Sequence, residues 1–116
     1  MSDFSSIQTL QGYLKVVSDR QQLVVSNMAN VDTPGYHTKD IDFQASMRQV
    51  MNENSGVQFD PVSRDLQGLP ERPDGNNVSI DRESLLLSQI QLQHQLGVEL
   101  VKEQFHQLLT AIKEGN

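Results

Sequence analysis

All four prolines of this 116-residue chain fall between residues 34 and 73, and the stretches on either side, 4–31 and 80–113, contain none. Proline lacks the amide that a helix interior needs and its ring collides with the preceding turn, so long helices are confined to those two flanks. The sequence therefore divides into an N-terminal helical arm, 1–31, a loop-rich middle, 32–79, and a C-terminal helical arm, 80–116, forming one structural unit.

In the first arm, apolar residues recur from Phe4 to about Val31 as Ile7, Leu10, Leu14, Val17, Val24, Met28 and Val31. With Gln21 filling the gap this is a continuous heptad with one polar seam position. At the usual rise, a helix of roughly 27 residues is about 40 Å long. Lys15 and Arg20 offset Asp3 and Asp19, so the arm is nearly neutral. In the second arm, from Ile80 to about Lys113, the stripe is Leu87, Ile90, His94, Gly97, Val101, Phe105, Leu108 and Ile112, with Leu92, Leu96 and Leu100 in a row beside it. A face that wide predicts more than one neighbour. Asp81, with Glu83 behind it, reads as the capping side chain and a favourable first-turn charge, and Gly115 suits the helix stop.

The middle holds eight acids (Asp32, Asp40, Asp42, Glu53, Asp60, Asp65, Glu71, Asp74) against four bases (Lys39, Arg48, Arg64, Arg72). Phe43, Met47, Val50 and Met51 share a face, so a short helix is expected over 43–51. The remainder reads as loop or weak strand. Asp74-Gly75-Asn76-Asn77 reads as a turn that accepts positive φ and leads into the second helix.

Charge and composition narrow the function. Nine Lys and Arg against fifteen Asp and Glu leave a net charge of −6, and aromatic residues make up 5%. A nucleic-acid binder needs a basic excess and stacking rings, and this chain has neither. Apolar residues are 36% and there is no Trp, below the roughly 45–50% usual for globular chains. Periodicity alone fits an intramolecular hairpin or arms packed between subunits. The thin core favours arms covered by neighbouring subunits. No cysteine is present, which removes disulfides, zinc–cysteine sites and thiol nucleophiles. The first residues lack the basic start and apolar run of a secretory signal, and no apolar stretch is long enough for a membrane span, so export would need a non-cleaving route.

No metal, cofactor or catalytic site is expected. His37, His94 and His106 include no i, i+4 pair. His94 lies on the apolar stripe and reads as a partly buried, hydrogen-bonded histidine, and the other two as surface or loop. The acids of the middle read as a solvated loop rather than an acid/base pair, because few apolar residues are available for a pocket wall. DPVSRD and RPDGNN resemble fragments of a calcium loop without its register.

The most specific string is Ser26-Asn27-Met28-Ala29-Asn30-Val31-Asp32-Thr33-Pro34-Gly35-Tyr36. Asn30 can end a helix, Asp32 and Thr33 can bond nearby backbone, and Pro34-Gly35 fits the centre of a type II turn. This string resembles the SNxANxxTPGY signature of the flagellar basal-body rod and hook protein family. LKVVSDRQQLVVSN before it, KDIDFQ after it, DGNNVSIDRE and the EGN end extend the likeness over about two thirds of the chain. The uninterrupted Thr33-Pro34-Gly35-Tyr36 and the short middle resemble a proximal-rod member. The sister proximal-rod protein FlgC, whose turn usually lacks this string, is the second reading, and a small helical secretion chaperone or adaptor the third.

The resemblance implies a mainly α fold, with N- and C-terminal helices pairing as an antiparallel coiled coil. It implies a structural, non-enzymatic subunit stacked helically in the drive shaft that crosses the periplasm. It further implies FlgC-like rod subunits, a FliE-like adaptor, a FliF-like membrane-ring protein and the flagellar type III export apparatus as partners, with export without a cleaved signal. Subunit packing is then expected of Ile7, Leu10, Leu14, Val17, Val24, Met28, Leu87, Ile90, Val101, Phe105, Leu108 and Ile112. The bend falls to Asn27, Asn30, Asp32, Thr33, Pro34, Gly35 and Tyr36. Phe43 and Met47 resemble the family's Phe-x-x-x-apolar export-gate motif.

Overall fold

The computed structural model describes residues 3–53 and 63–115. The expected loop at 54–62, with Asp60-Pro61 of the calcium-loop-like string, lies outside the described residues. The elements are α1 (Asp3–Ala29), β1 (Lys39–Ile41), α2 (Phe43–Glu53), β2 (Ser63–Asp65) and α3 (Ile80–Glu114). The molecule is elongated, 68 × 25 × 17 Å. β1 and β2 pair antiparallel, with Lys39 opposite Asp65 and Ile41 opposite Ser63.

Helix α1 is the spine, because its neighbouring valines face different layers. Val16 packs with Ile41 and Val50, joined by Leu23, Phe43 and Met47, which seats β1 and α2. Val17 and Val24 pack with Ile90, joined by Tyr13, Met28, Leu86 and Leu87, which seats α3. Phe43 touches both clusters, and its ring meets Tyr13 edge-on at 6.0 Å. Tyr13 bonds the Gln93 carbonyl at one level while Asn27 bonds Glu83 at the other, so α1 and α3 run antiparallel. Gly97 lets them approach: a Cβ there would lie 2.6 Å from Leu14 Cδ2 and 3.0 Å from the Tyr13 ring.

Several expectations change. α1 ends at Ala29 rather than Val31, because after Asn30 the amides bond one residue nearer, Val31 to the Met28 carbonyl and Thr33 to the Asn30 carbonyl. The cap of α3 is Ser79, whose hydroxyl accepts from the Arg82 amide at 3.3 Å, and not Asp81. Glu83 is a first-turn acid as expected, and it is also wholly buried. His94 is exposed beside Gln21, Gln91 and Gln95, because the buried seam of α3 runs through Glu83, Ile90 and Gly97 and His94 stands to one side of it. Asp40, assigned to a solvated loop, is buried against arginines.

Candidate functional site

The signature string closes into a hydrogen-bonded junction where α1, the bend, β1 and the start of α3 meet. Asn27 is its centre, fully buried with every amide valence used. Its Nδ2 donates to the Lys39 carbonyl at 2.8 Å and to Glu83 Oε1 at 2.6 Å. Its Oδ1 accepts from the Lys39 amide at 3.1 Å and from the Tyr36 hydroxyl at 3.0 Å. Two donors and two acceptors are all that an asparagine side chain offers. Aspartate would lose both donors and leucine all four bonds, so the position demands asparagine for a physical reason.

The bend between Asn27 and Lys39 is fixed in the same way. Tyr36 N–H bonds the Thr33 carbonyl at 3.2 Å, and Gly35 sits at φ 74°, the conformation expected at the third position of a type II turn. Thr33 Oγ1 donates to Asn30 Oδ1 at 3.0 Å, and Asn30 Nδ2 donates to the Ser26 carbonyl at 2.8 Å. Asp32 and Pro34 are exposed on the outside of the bend. A second buried amide, Asn76, clamps the bend from the loop before α3, donating to the carbonyls of Asn30 at 2.9 Å and Thr33 at 2.8 Å. Its Oδ1 accepts from Val78, so this side chain is committed too. Asn77 Oδ1 takes the Thr38 amide at 2.6 Å, and Arg72 bonds the carbonyls of Val31 and Val78. Gly75 adopts φ 85°, as the expected turn requires.

Charged side chains complete the junction. Arg20 grips Asp40 through both carboxylate oxygens, at 2.9 and 3.0 Å. Arg82 stands 2.6 Å from Glu83 Oε2 and 3.7 Å from Asp40 Oδ2. At the start of α2, the Ala45 amide bonded to the Asp42 carboxylate holds its pKa below the usual value, and the neighbouring Arg64 acts in the same direction. Burial pushes the Tyr13 phenol up. Among the described residues, no group of three or more His, Cys, Asp or Glu is placed to hold a metal, and no helix is long and apolar enough to cross a membrane.

The expected packing residues divide by position. Ile7, Val17, Val24 and Ile90 are buried, while Leu10, Leu14, Met28, Leu87, Val101 and Leu108 are half-buried. Phe105 and Ile112 are exposed in the single chain, at 47% and 55%, so packing by these two would fall to contacts between subunits. Leu92, Leu96 and Leu100 are exposed at 67%, 57% and 43% and form a row with Leu85 along α3, whose last member, Leu100, borders α1. An apolar groove of about 350 Å³ between the helices is lined by Leu10, Met51, Leu100 and Gln104. Phe43 and Met47 are half-buried on the inner side of α2.

Asp40, Glu83, Arg20, Arg82, Asn76 and Asn77 were not singled out as site residues by sequence. A signal existed for Glu83: it stands seven residues before Ile90, which stands seven before Gly97, and these three are the buried residues of α3. An acid on a heptad core position requires a buried partner.

Comparison with known proteins bears on this junction. No family model matches the chain. The flagellar basal body rod protein FlgB of Bacillus subtilis is 30% identical, the match covering 99% of both chains. The chain belongs to the FlgB family of flagellar basal body rod proteins. FlgB of Salmonella typhimurium is 29% identical and that of Escherichia coli 27%, each over 97% of this chain and 96% of the relative. Those two matches extend over 132 positions against 116 residues here, so the relatives carry residues that this chain lacks. Membership makes the chain a structural component of the flagellar basal body rod, alongside other rod components.

Proposed function

We propose that this chain is a structural, non-enzymatic subunit of the proximal rod, which stacks helically with its neighbours to form part of the drive shaft crossing the periplasm. The observation that carries this reading is the leucine row of α3. A mainly helical chain with a thin core leaves Leu85, Leu92, Leu96 and Leu100 uncovered, although each exposed apolar area favours burial by about 25 cal/mol per Å². In the assembled rod, α1 and α3 form an antiparallel coiled coil, and this row packs on further helices. The partners are FlgC-like rod subunits, a FliE-like adaptor and a FliF-like membrane-ring protein. Export proceeds through the flagellar type III apparatus without a cleaved signal, with Phe43 and Met47 as the gate-binding pair; both are half-buried, so that pair becomes fully available only when the chain is unfolded.

The test separates assembly from folding. Leu92→Glu with Leu96→Glu changes two exposed side chains, so the isolated variant should keep its helical circular dichroism. In a strain lacking the native subunit it should abolish swimming and leave no completed rod. Normal swimming by this variant rules the reading out.

A further inference from the structure

Glu83 is wholly buried, and the leucine packing of α3 gives no reason for a carboxylate there. The reason lies in how the layers are joined. α3 packs on α1 through Val17, Val24 and Ile90, while β1 and α2 pack on another side of α1 through Val16, Ile41 and Val50. The two layers meet at Phe43 and through polar side chains. Glu83 takes one N–H of the Asn27 amide, whose other N–H bonds the Lys39 carbonyl in β1. Arg82 reaches both Glu83 and Asp40, and Asp40 is held from α1 by Arg20. Two arginines thus face two carboxylates, and β1 is gripped at consecutive residues.

We propose that Glu83 and Arg82 are positioning residues that set the angle of the strand pair, and of α2 behind it, against α3. Apolar contact with α1 resists separation of the layers but is non-directional, so it tolerates rotation. The hydrogen bonds that Asn27 makes to Glu83 and to Lys39, at 2.6 and 2.8 Å, are directional and short, and together with the ion pairs of Arg20 and Arg82 to Asp40 they fix the rotation. Lateral surfaces offered by the middle segment and by α3 are thereby held in one relation. The inference does not depend on the assembly reading, because it concerns the isolated chain.

The chain has no cysteine, so paired spin labels can be placed in the full-length protein without background. Asp65→Cys with Gln91→Cys spans the strand pair to α3, and Gln22→Cys with Gln91→Cys spans α1 to α3. Glu83→Ala should at least double the width of the first distance distribution and leave the second unchanged. Glu83→Gln keeps an oxygen facing Asn27 but turns an NH2 toward Arg82, so its first distribution should be narrower than that of Glu83→Ala and broader than that of the unchanged chain; a distribution as broad as that of Glu83→Ala overturns the part given to the Asn27 bond. An unchanged first distribution in Glu83→Ala overturns the proposal. Equal broadening of both pairs also overturns it, since that marks a residue that merely holds the fold together. Arg82→Met is read by the same two distances and decides the matter where Glu83→Ala does not fold: broadening confined to the first pair supports the proposal, and none refutes it.

Discussion

Replacing Asn27 by alanine should be among the most damaging single changes outside the apolar clusters. The side chain is fully buried and makes four hydrogen bonds, so the substitution leaves the Lys39 amide and carbonyl, the Tyr36 hydroxyl and Glu83 Oε1 without that partner. A buried polar group left unpaired costs about 1–3 kcal/mol. Tyr36 is half-buried and can turn to water, and Glu83 keeps Arg82, so two of the four losses are reduced. The net cost is about 3–5 kcal/mol, against a total of about 5–15 kcal/mol for a small domain. Urea unfolding followed by far-ultraviolet circular dichroism measures it directly. Asn27→Asp should be no better, because it loses both donors and sets a carboxylate against Glu83. A loss below about 1 kcal/mol for Asn27→Ala would refute the reasoning, since water would then be replacing the amide at no cost.

Two other perturbations test separate parts of the structure. Gly97→Val should destabilise by about 1–3 kcal/mol in the same unfolding assay, because its Cβ falls 2.6 Å from Leu14 Cδ2 and 3.0 Å from the Tyr13 ring; a neutral result would mean the helices can move apart there. Asp42 has a folded pKa below its ordinary 3.8, so its cap on α2 contributes stability above that value and loses it as pH falls through the folded value. Asp42→Asn should remove that part of the acid sensitivity, and titrating both proteins by circular dichroism between neutral and strongly acidic pH should show the variant's helix signal falling less steeply at the acid end.

How much of this was legible depended on range. The arms could be read because helix periodicity is local: Ile7, Val17, Val24 and Ile90 stand on the predicted stripes, and all four are buried. The short helix after Phe43 and the positive φ at Gly35 and Gly75 were legible from nearby residues for the same reason. The junction was not. Asn27 and Glu83 are 56 residues apart, so although the heptad spacing of Glu83 with Ile90 and Gly97 marks a core position, nothing local names its partner. Asp40 was misplaced because an acidic loop composition says nothing about Arg20 and Arg82 arriving from two different helices. His94 failed in the opposite way: the buried seam of α3 runs through Glu83, Ile90 and Gly97, and His94 stands to one side of it in solvent. The second leucine row signalled an additional neighbour, and the isolated chain leaves it uncovered.

The central claim is that the leucine row of α3 waits for a neighbouring subunit. Leu96→Cys gives the chain a single thiol on that row, and its maleimide reactivity can be compared in the free protein and in basal bodies isolated from a swimming strain that carries the variant. The account predicts rapid labelling in the free chain and much slower labelling in the basal body, because the core of a protein interface is packed as densely as a protein interior. Equal labelling in both would show that the row remains open to solvent in the rod and would contradict the account.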